Sequence, residues 1–274
     1  MSNELAYWDR SVELSIIPEG GGTAVTYRDL RVQFSIEKTL SSSNNTARIA
    51  VYNLNAASRQ RLRGQDSIIR LKGGYNGNLA LLFEGDLVRS FHKRDGGTWV
   101  SELECSTGAR AFRDGKLSKT FKSGTSRRTV VKQVAASFAD TSVGTLASTT
   151  LDRSLTAPLS VVGPGKRILN SLADDWGFRW SVQDNVVQVL DYGSRKSDTV
   201  AIKLSAGSGL IDYPVWTDDG LEVQSLLIPE IVPGRLLDVE SSTESGVFQP
   251  TKVTHTGDSH GQEWNTICIC TEAN

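Results

Sequence analysis

The chain has three histidines, His92, His255 and His260, and two of them lie in the stretch His255-Thr256-Gly257-Asp258-Ser259-His260. An imidazole beside a carboxylate is the pairing that general acid–base catalysis uses, and with a second imidazole it is a minimal metal site. His255 and Asp258 are therefore the first candidates for chemistry. In a Gly-containing turn the same residues also make a polar hairpin corner held by side-chain hydrogen bonds. No Gly-x-Ser-x-Gly elbow supplies a nucleophile, which favours the corner. Cys268 and Cys270 share one face of a strand and point in parallel, poorly placed to bridge each other. No second Cys or His pair stands at ligand spacing, so zinc is not indicated and the pair reads as buried strand face. Gly163-Pro164-Gly165-Lys166-Arg167 precedes a helix, as phosphate loops do. It lacks the Walker spacing, and Pro164 removes an N–H donor. Asp174 with Asp175 and Asp218 with Asp219 are adjacent and point in different directions, which does not suit a glycosidase pair. The expectation is no catalytic residue, no metal site and no cofactor.

The elements that carry these residues are mostly strands. Val12, Leu14 and Ile16 alternate with polar residues, as do Val32, Phe34 and Ile36, then Ala47, Ile49 and Val51. The polar run from Thr39 to Thr46 between the last two predicts a hairpin. Asn55 to Arg63 predicts one or two helical turns, and further strands are expected over 68–71, 79–87 and 98–105. Many short strands at this spacing favour a barrel or sandwich. After about residue 115 the period changes. Ser126 is a candidate N-cap for a helix that buries Val130, Val131, Val134, Ala135 and Phe138. A second helix repeats the pattern with Ile168, Leu169, Leu172, Ala173 and Trp176, stopped by Gly177. Each helix follows a β-like stretch, 117–121 and 159–162, so the segment reads as a weakly repeated strand–helix unit. A hairpin, 178–182 and 186–190, turns at Gln183-Asp184-Asn185. From about residue 199 the β character returns. The tryptophans, Trp8, Trp99, Trp176, Trp180, Trp216 and Trp264, mostly sit in apolar patterns that predict burial.

The 274 residues carry 30 basic and 31 acidic side chains, so the chain as a whole is no generally basic nucleic-acid binder. The neutrality is local cancellation. Residues 199–274 hold three basic and eleven acidic side chains, a net −8, which leaves +7 for residues 1–198. Basic residues cluster at Arg110, Arg113, Lys116, Lys119, Lys122, Arg127, Arg128 and Lys132. Only Phe112 and Phe121 are interleaved, so a solvated or protein-docking face is preferred to a base-stacking platform. No apolar run approaches the roughly 18 residues of a membrane helix, and residues 1–10 do not read as a signal peptide. Three cysteines, an odd number, suit a reducing compartment.

Two stretches, Asp29-Leu30-Arg31-Val32-Gln33-Phe34-Ser35-Ile36 and Asn45-Thr46-Ala47-Arg48-Ile49-Ala50-Val51-Tyr52-Asn53-Leu54, resemble the opening hairpin of phage baseplate hub proteins. Gly73-Gly74-Tyr75 and Leu82-Phe83-Glu84-Gly85-Asp86 continue the likeness. Ser208-Gly209-Leu210-Ile211, the run from Ser225 to Gly234, and His255-Thr256-Gly257-Asp258 with Trp264 and Thr266 close it. In order, from about residue 10 to 272, these pieces resemble the tail-tube-like hub family of the late-control D type.

That resemblance implies a mainly β fold with an α+β insertion: a first tube-like β-barrel over 1–106, a small α+β domain over 107–198, and a second tube-like barrel over 199–274. It implies a homotrimer whose two barrels per chain form a pseudo-sixfold ring, adapting a sixfold tail tube to a threefold central spike. Expected partners are the spike, the tail tube or distal tube protein, the tape measure protein and other baseplate proteins. DNA would pass through the lumen only, without membrane insertion. The implied protein is a late, structural virion component assembled in the host cytoplasm. The competing readings are a tail-associated cell-wall hydrolase using His255 and Asp258, and a receptor- or carbohydrate-binding tail-tip module. The segment from Pro229 to Pro233 is read as a Pro-bounded turn leading into a strand.

Overall fold

The computed structural model describes residues 9–18, 22–63, 67–139, 141–191 and 200–273, and it is mainly β. In chain order the elements are β1 (Arg10–Ile17), β2 (Val25–Tyr27), β3 (Val32–Thr39), β4 (Thr46–Tyr52), α1 (Ala56–Arg61), β5 (Ile68–Tyr75), β6 (Asn78–Asp95) and β7 (Thr98–Ser106). Then come α2 (Ala109–Asp114), β8 (Lys116–Phe121), α3 (Arg127–Ala135), β9 (Ser142–Ala147), β10 (Leu159–Pro164), α4 (Gly165–Trp176), β11 (Phe178–Gln183) and β12 (Val186–Asp191). The last are β13 (Ile202–Leu204), β14 (Val215–Thr217), β15 (Gly220–Leu226), β16 (Leu237–Glu240), β17 (Ser245–Asp258) and β18 (Trp264–Glu272). No helix among the described residues is long and apolar enough to cross a membrane.

The chain divides into two compact units. One comprises the described residues of 1–38, 45–106 and 198–274; the other comprises 39–44 and 107–197. Sequence counts over these bounds give the first 16 basic and 24 acidic side chains and the second 14 basic and seven acidic. The charge contrast therefore follows the units: residues 1–106 are close to neutral, and the excess of cations belongs to the second unit.

In the first unit the strands form one 13-stranded sheet, ordered β14-β15-β18-β17-β3-β4-β7-β6-β5-β1-β2, with β13 and β16 branching from β17. Period-two alternation sorts β3, with Val32, Phe34 and Ile36 buried and Ser35 and Glu37 exposed. The expected hairpin is β3–β4, with Val32 opposite Val51 and Glu37 opposite Thr46. Two apolar clusters line this sheet. One holds Val12, Phe34, Ile49, Leu71, Phe83 and Leu103, and it is completed by Leu227 and Trp264 from the distant end of the sequence. The other holds Leu221, Val223, Ile231, Leu237, Phe248 and Cys268.

The strand order is duplicated. β3-β4-β7-β6-β5 and β14-β15-β18-β17-β16 run in the same spatial and chain order, with every neighbouring pair antiparallel. Both long hairpins carry one extra residue at the same place, Val88 in β6 and Thr251 in β17. The copies diverge at the next strand, since β1 is antiparallel to β5 whereas β13 is parallel to β16.

In the second unit β8 pairs antiparallel with β10, and β9 joins the β11–β12 hairpin. Ser126 caps α3, its hydroxyl accepting from the Thr129 amide, as its sequence context predicts. Val130, Val131, Val134, Ala135 and Phe138 are buried against Ile168, Leu169, Leu172 and Ala173 of α4. Gly177 ends α4 in the left-handed conformation, φ +76°, with its N–H on the Ala173 carbonyl. The β11–β12 turn is tighter than expected. Only Asp184 and Asn185 form it, both left-handed, the twist a two-residue hairpin favours, while Gln183 stays in β11 and donates to the Thr39 carbonyl at 2.7 Å.

Candidate functional site

The structure separates the two residues that chemistry would pair. His255 is fully buried on the inner face of β17, where its Nδ1 shares a 2.9 Å hydrogen bond with the Thr266 hydroxyl on β18. Burial, and then the charge of Lys38, pushes its pKa down to about 3. A neutral imidazole sealed from water neither reaches a substrate nor titrates near neutral pH. Asp258 instead closes the end of β17. Its carboxylate accepts from Arg31 at 3.1 and 2.6 Å, from Gln33 at 2.7 Å and from the His260 amide at 3.0 Å. The Arg31 guanidinium holds it well below the usual carboxylate range. Arg31 also lies 4.6 Å from the Tyr52 ring, whose hydroxyl donates to Gln33 at 2.6 Å. This corner is a clamp that joins β17 to β3.

Further contacts run along the same seam. The Ser259 amide donates to the Val32 carbonyl at 3.0 Å, and Lys252 pairs with Glu37 at 2.9 Å, so β3 and β17 run antiparallel. A Cβ on Gly257 would stand 2.4 Å from Phe34, so only glycine admits that ring. Phe34 in turn meets Trp264 edge to face at 5.5 Å.

The duplicated topology gives His255 a counterpart that the sequence reading missed. His92 sits at the equivalent place in β6, its Nδ1 3.0 Å from the Ser101 hydroxyl on β7. Its pKa is lowered by burial and by Arg59 and Arg63. Asp95, Trp99 and Cys105 stand where Asp258, Trp264 and Cys270 stand. The backbone agrees too, for the Asn53 amide donates to the Trp99 carbonyl and the Leu227 amide to the Trp264 carbonyl. The signal was a His-x-x-Asp followed by Trp and then Cys, twice, with two extra residues in the second turn.

The other sequence candidates resolve as structure. Cys105, Cys268 and Cys270 are free and buried. A hydrogen bond with Cys270, together with burial, raises the Cys268 thiol, so it is no nucleophile. Gly165 opens α4 with its amide on the Gly115 carbonyl at 2.9 Å, and a Cβ there would stand 2.6 Å from Ser137. Lys166 reaches Asn44 at 3.0 Å and lies 4.6 Å from the Phe112 ring. That glycine serves packing, and that lysine is engaged within its own unit. In the basic cluster Arg110 is buried, Arg113 pairs with Asp114 at 3.0 Å and Arg128 with Asp152 at 2.5 Å. Phe121 is buried and Phe112 packs edge to face on Phe138, so no stacking platform forms. The run from Leu227 to Gly234 holds two turns, at 229–230 and 233–234, in place of the one expected over Pro229–Pro233; it is largely buried, with Ile231 in the second apolar cluster, and precedes β16.

Burial of the tryptophans holds in part. Trp180 and Trp264 are buried and Trp99 and Trp176 half-buried, while Trp8 lies outside the described residues. Trp216 is a correction, being 49% exposed. It stands on β14 at the end of the sheet, where no strand among the described residues covers it, and its indole N–H donates to Glu244 at 2.8 Å. Ile211, Tyr213 and Val215 are exposed along the same short stretch.

Comparison with known proteins fits a structural part. Curated protein sequences give no match. Among solved structures, the chain is similar to the 43 kDa tail protein of prophage MuSo2 from Shewanella oneidensis, at 10% identity and TM-score 0.66, covering 97% of each chain. It is similar to a tail protein from Neisseria meningitidis at 12% identity and TM-score 0.65, again over 97% of each chain. A third likeness, at 11% identity and TM-score 0.62, covers 90% of this chain and 74% of the E. coli c3393 protein. That protein is described as a type VI secretion system component with structural similarity to the T4 tail proteins gp27 and gp5. These likenesses establish a shared fold. A family model described as baseplate hub gp41 matches residues 12–249. Spanned over most of its length by that family, the chain belongs to the baseplate hub gp41 family of phage tail structural proteins.

Proposed function

We propose that this hub subunit forms a homotrimeric ring in the tail baseplate, joining a sixfold tail tube to a threefold central spike and enclosing the DNA channel. Residues 1–106 and 199–274 supply the two tube-like barrels, and 107–198 is an α+β insertion that meets other baseplate proteins. The observation that carries this reading is the duplicated strand order in one chain. Two similar β modules per chain turn a threefold assembly into six similar positions, which is what a sixfold tube requires of its adaptor. The net charge of residues 199–274 would place about 24 negative charges around such a ring, a surface that repels passing DNA rather than retaining it. The hydrolase reading loses its acid–base pair, since His255 is sealed and Asp258 is committed to Arg31 and Gln33. Light scattering over a range of concentrations tests the ring. A particle of about three times 29.8 kDa is expected, and a monomer at every concentration, with or without the spike protein, overturns it.

A further inference from the structure

From the duplicated β repeats we infer which surfaces join one copy to the next: β14 of one copy adds to the free side of the β6 arm, residues 88–95, of its neighbour. The inference rests on the ring reading above and names its interface.

The seam within one chain supplies the pattern. β17 is longer than its partner β16, which pairs only with residues 245–248, and the far half of β17 receives β3 on that side. β6 is built in the same way. β5 pairs with its residues 78–86, and β7 covers its other side through to Asp95. Among the described residues no strand pairs with 88–95 on the side away from β7. The strand equivalent to β3 is β14, and β14 is an end of the sheet. One repeat therefore has a strand on this edge of its arm and the other, among the described residues, has none; one leading strand is paired on both edges and its equivalent on one. Repeating the internal seam between copies satisfies both unpaired edges at once, and because the two surfaces differ, the contact runs head to tail and can close a ring.

Side chains agree with this pairing. The bare arm exposes Phe91, at 47%, and the bare edge exposes Val215, at 57%, with Tyr213 and Trp216 beside it. In the register of the internal seam, Val215 comes beside Phe91 and Lys93 of the neighbour, on the outer face of both strands. On the arm Lys93 pairs with Glu102 at 2.5 Å and Arg89 lies 3.9 Å from Glu104, both on β7, so the cation that the arm offers to Asp212, Asp218 and Asp219 beside β14 is chiefly Arg94. The bulky Phe34 against Gly257 in the internal seam becomes Pro214 against Arg94, a reversal of sizes that leaves room for the arginine. Trp99 is half-buried where β3 helps to bury Trp264, and the neighbour's β14 would cover it.

The test uses the full chain with paired cysteines, Val215→Cys with Phe91→Cys and Val215→Cys with Lys93→Cys, under mild oxidation. Val215→Cys with Thr26→Cys, on the opposite end of the sheet, is the control. Covalent oligomers up to trimers from either of the first two pairs, and none from the control, are expected. A trimer by light scattering with no cross-link from either pair, or with a cross-link from the control, overturns this interface and leaves the ring standing. A monomer at all concentrations, with no cross-link, overturns both. Val215→Lys, placed against the basic arm, is expected to weaken association at least tenfold, whereas Val247→Lys, exposed but away from the seam, leaves it unchanged. Equal effects of the two would overturn the assignment.

Discussion

The two β repeats of the first unit hold the same residues in the same places and bury them differently. Trp264 is 2% exposed, inserted into the apolar cluster of the other repeat against Phe34 and Tyr75. Trp99, its equivalent, stays half-buried, with the Arg59 guanidinium 4.1 Å from its ring. His255 is fully buried, while His92 keeps partial exposure. Both repeats have the same strand order, so the order does not set burial. The neighbour does: β3 closes over the β17 corner, and among the described residues no strand closes over the β6 arm.

The largest test of that contrast is a pair of deletions. Trp264→Ala is expected to cost about 3–5 kcal/mol, as for other buried aromatics, and Trp99→Ala about 1 kcal/mol in the isolated chain. Urea unfolding reads both, and equal losses would break the comparison. Acid is the next lever. A histidine whose pKa falls from 6.5 unfolded to about 3 folded gives stability that is fully present above pH 6.5 and is lost as the pH drops toward 3. Between pH 7 and pH 5 the loss from His255 is about 2 kcal/mol, and His255→Gln is expected to flatten that part of the pH–stability curve. His92→Gln should flatten it less, since its pKa is lowered in a more open setting.

Smaller effects follow at the seam. Asp258→Asn leaves Arg31 without its carboxylate, and about 1–2 kcal/mol is expected, discounted because Arg31 is partly exposed. Asp95→Asn, the equivalent change on the bare arm, should be nearly neutral in a monomer. Denaturant midpoints of the two variants decide the point. The smallest effect belongs to Lys252→Ala, since its pair with Glu37 is about half exposed on both sides; less than about 1 kcal/mol is expected, and 0.5 M salt should erase it.

Local structure was legible in the residues. Alternation placed β3 and β4, the Ser126 cap and the apolar faces of α3 and α4 placed the helices, and the helical turns expected over Asn55–Arg63 are α1. Those signals act over a few residues, so a sequence window contains them. Asp258 makes a polar corner of the kind its turn residues suggest, while His255 lies inside the strand, and the clamp partner of Asp258 was invisible. Arg31 is 227 residues away, and nothing in either window reports the other. The larger duplication escaped because its marks, His, Asp, Trp and Cys, are sparse among divergent strand residues.

By itself, the sequence determined the strand and helix periods, the caps and turns, and the opposing charges of its segments, because each of these is set by neighbours along the chain. Only the tertiary structure decided which of two equivalent tryptophans and histidines is sealed, which carboxylate is clamped, and that Trp216 stands at an open edge. Those outcomes depend on which strand lies beside which, and that is fixed by hydrogen bonding and apolar burial between segments distant in sequence.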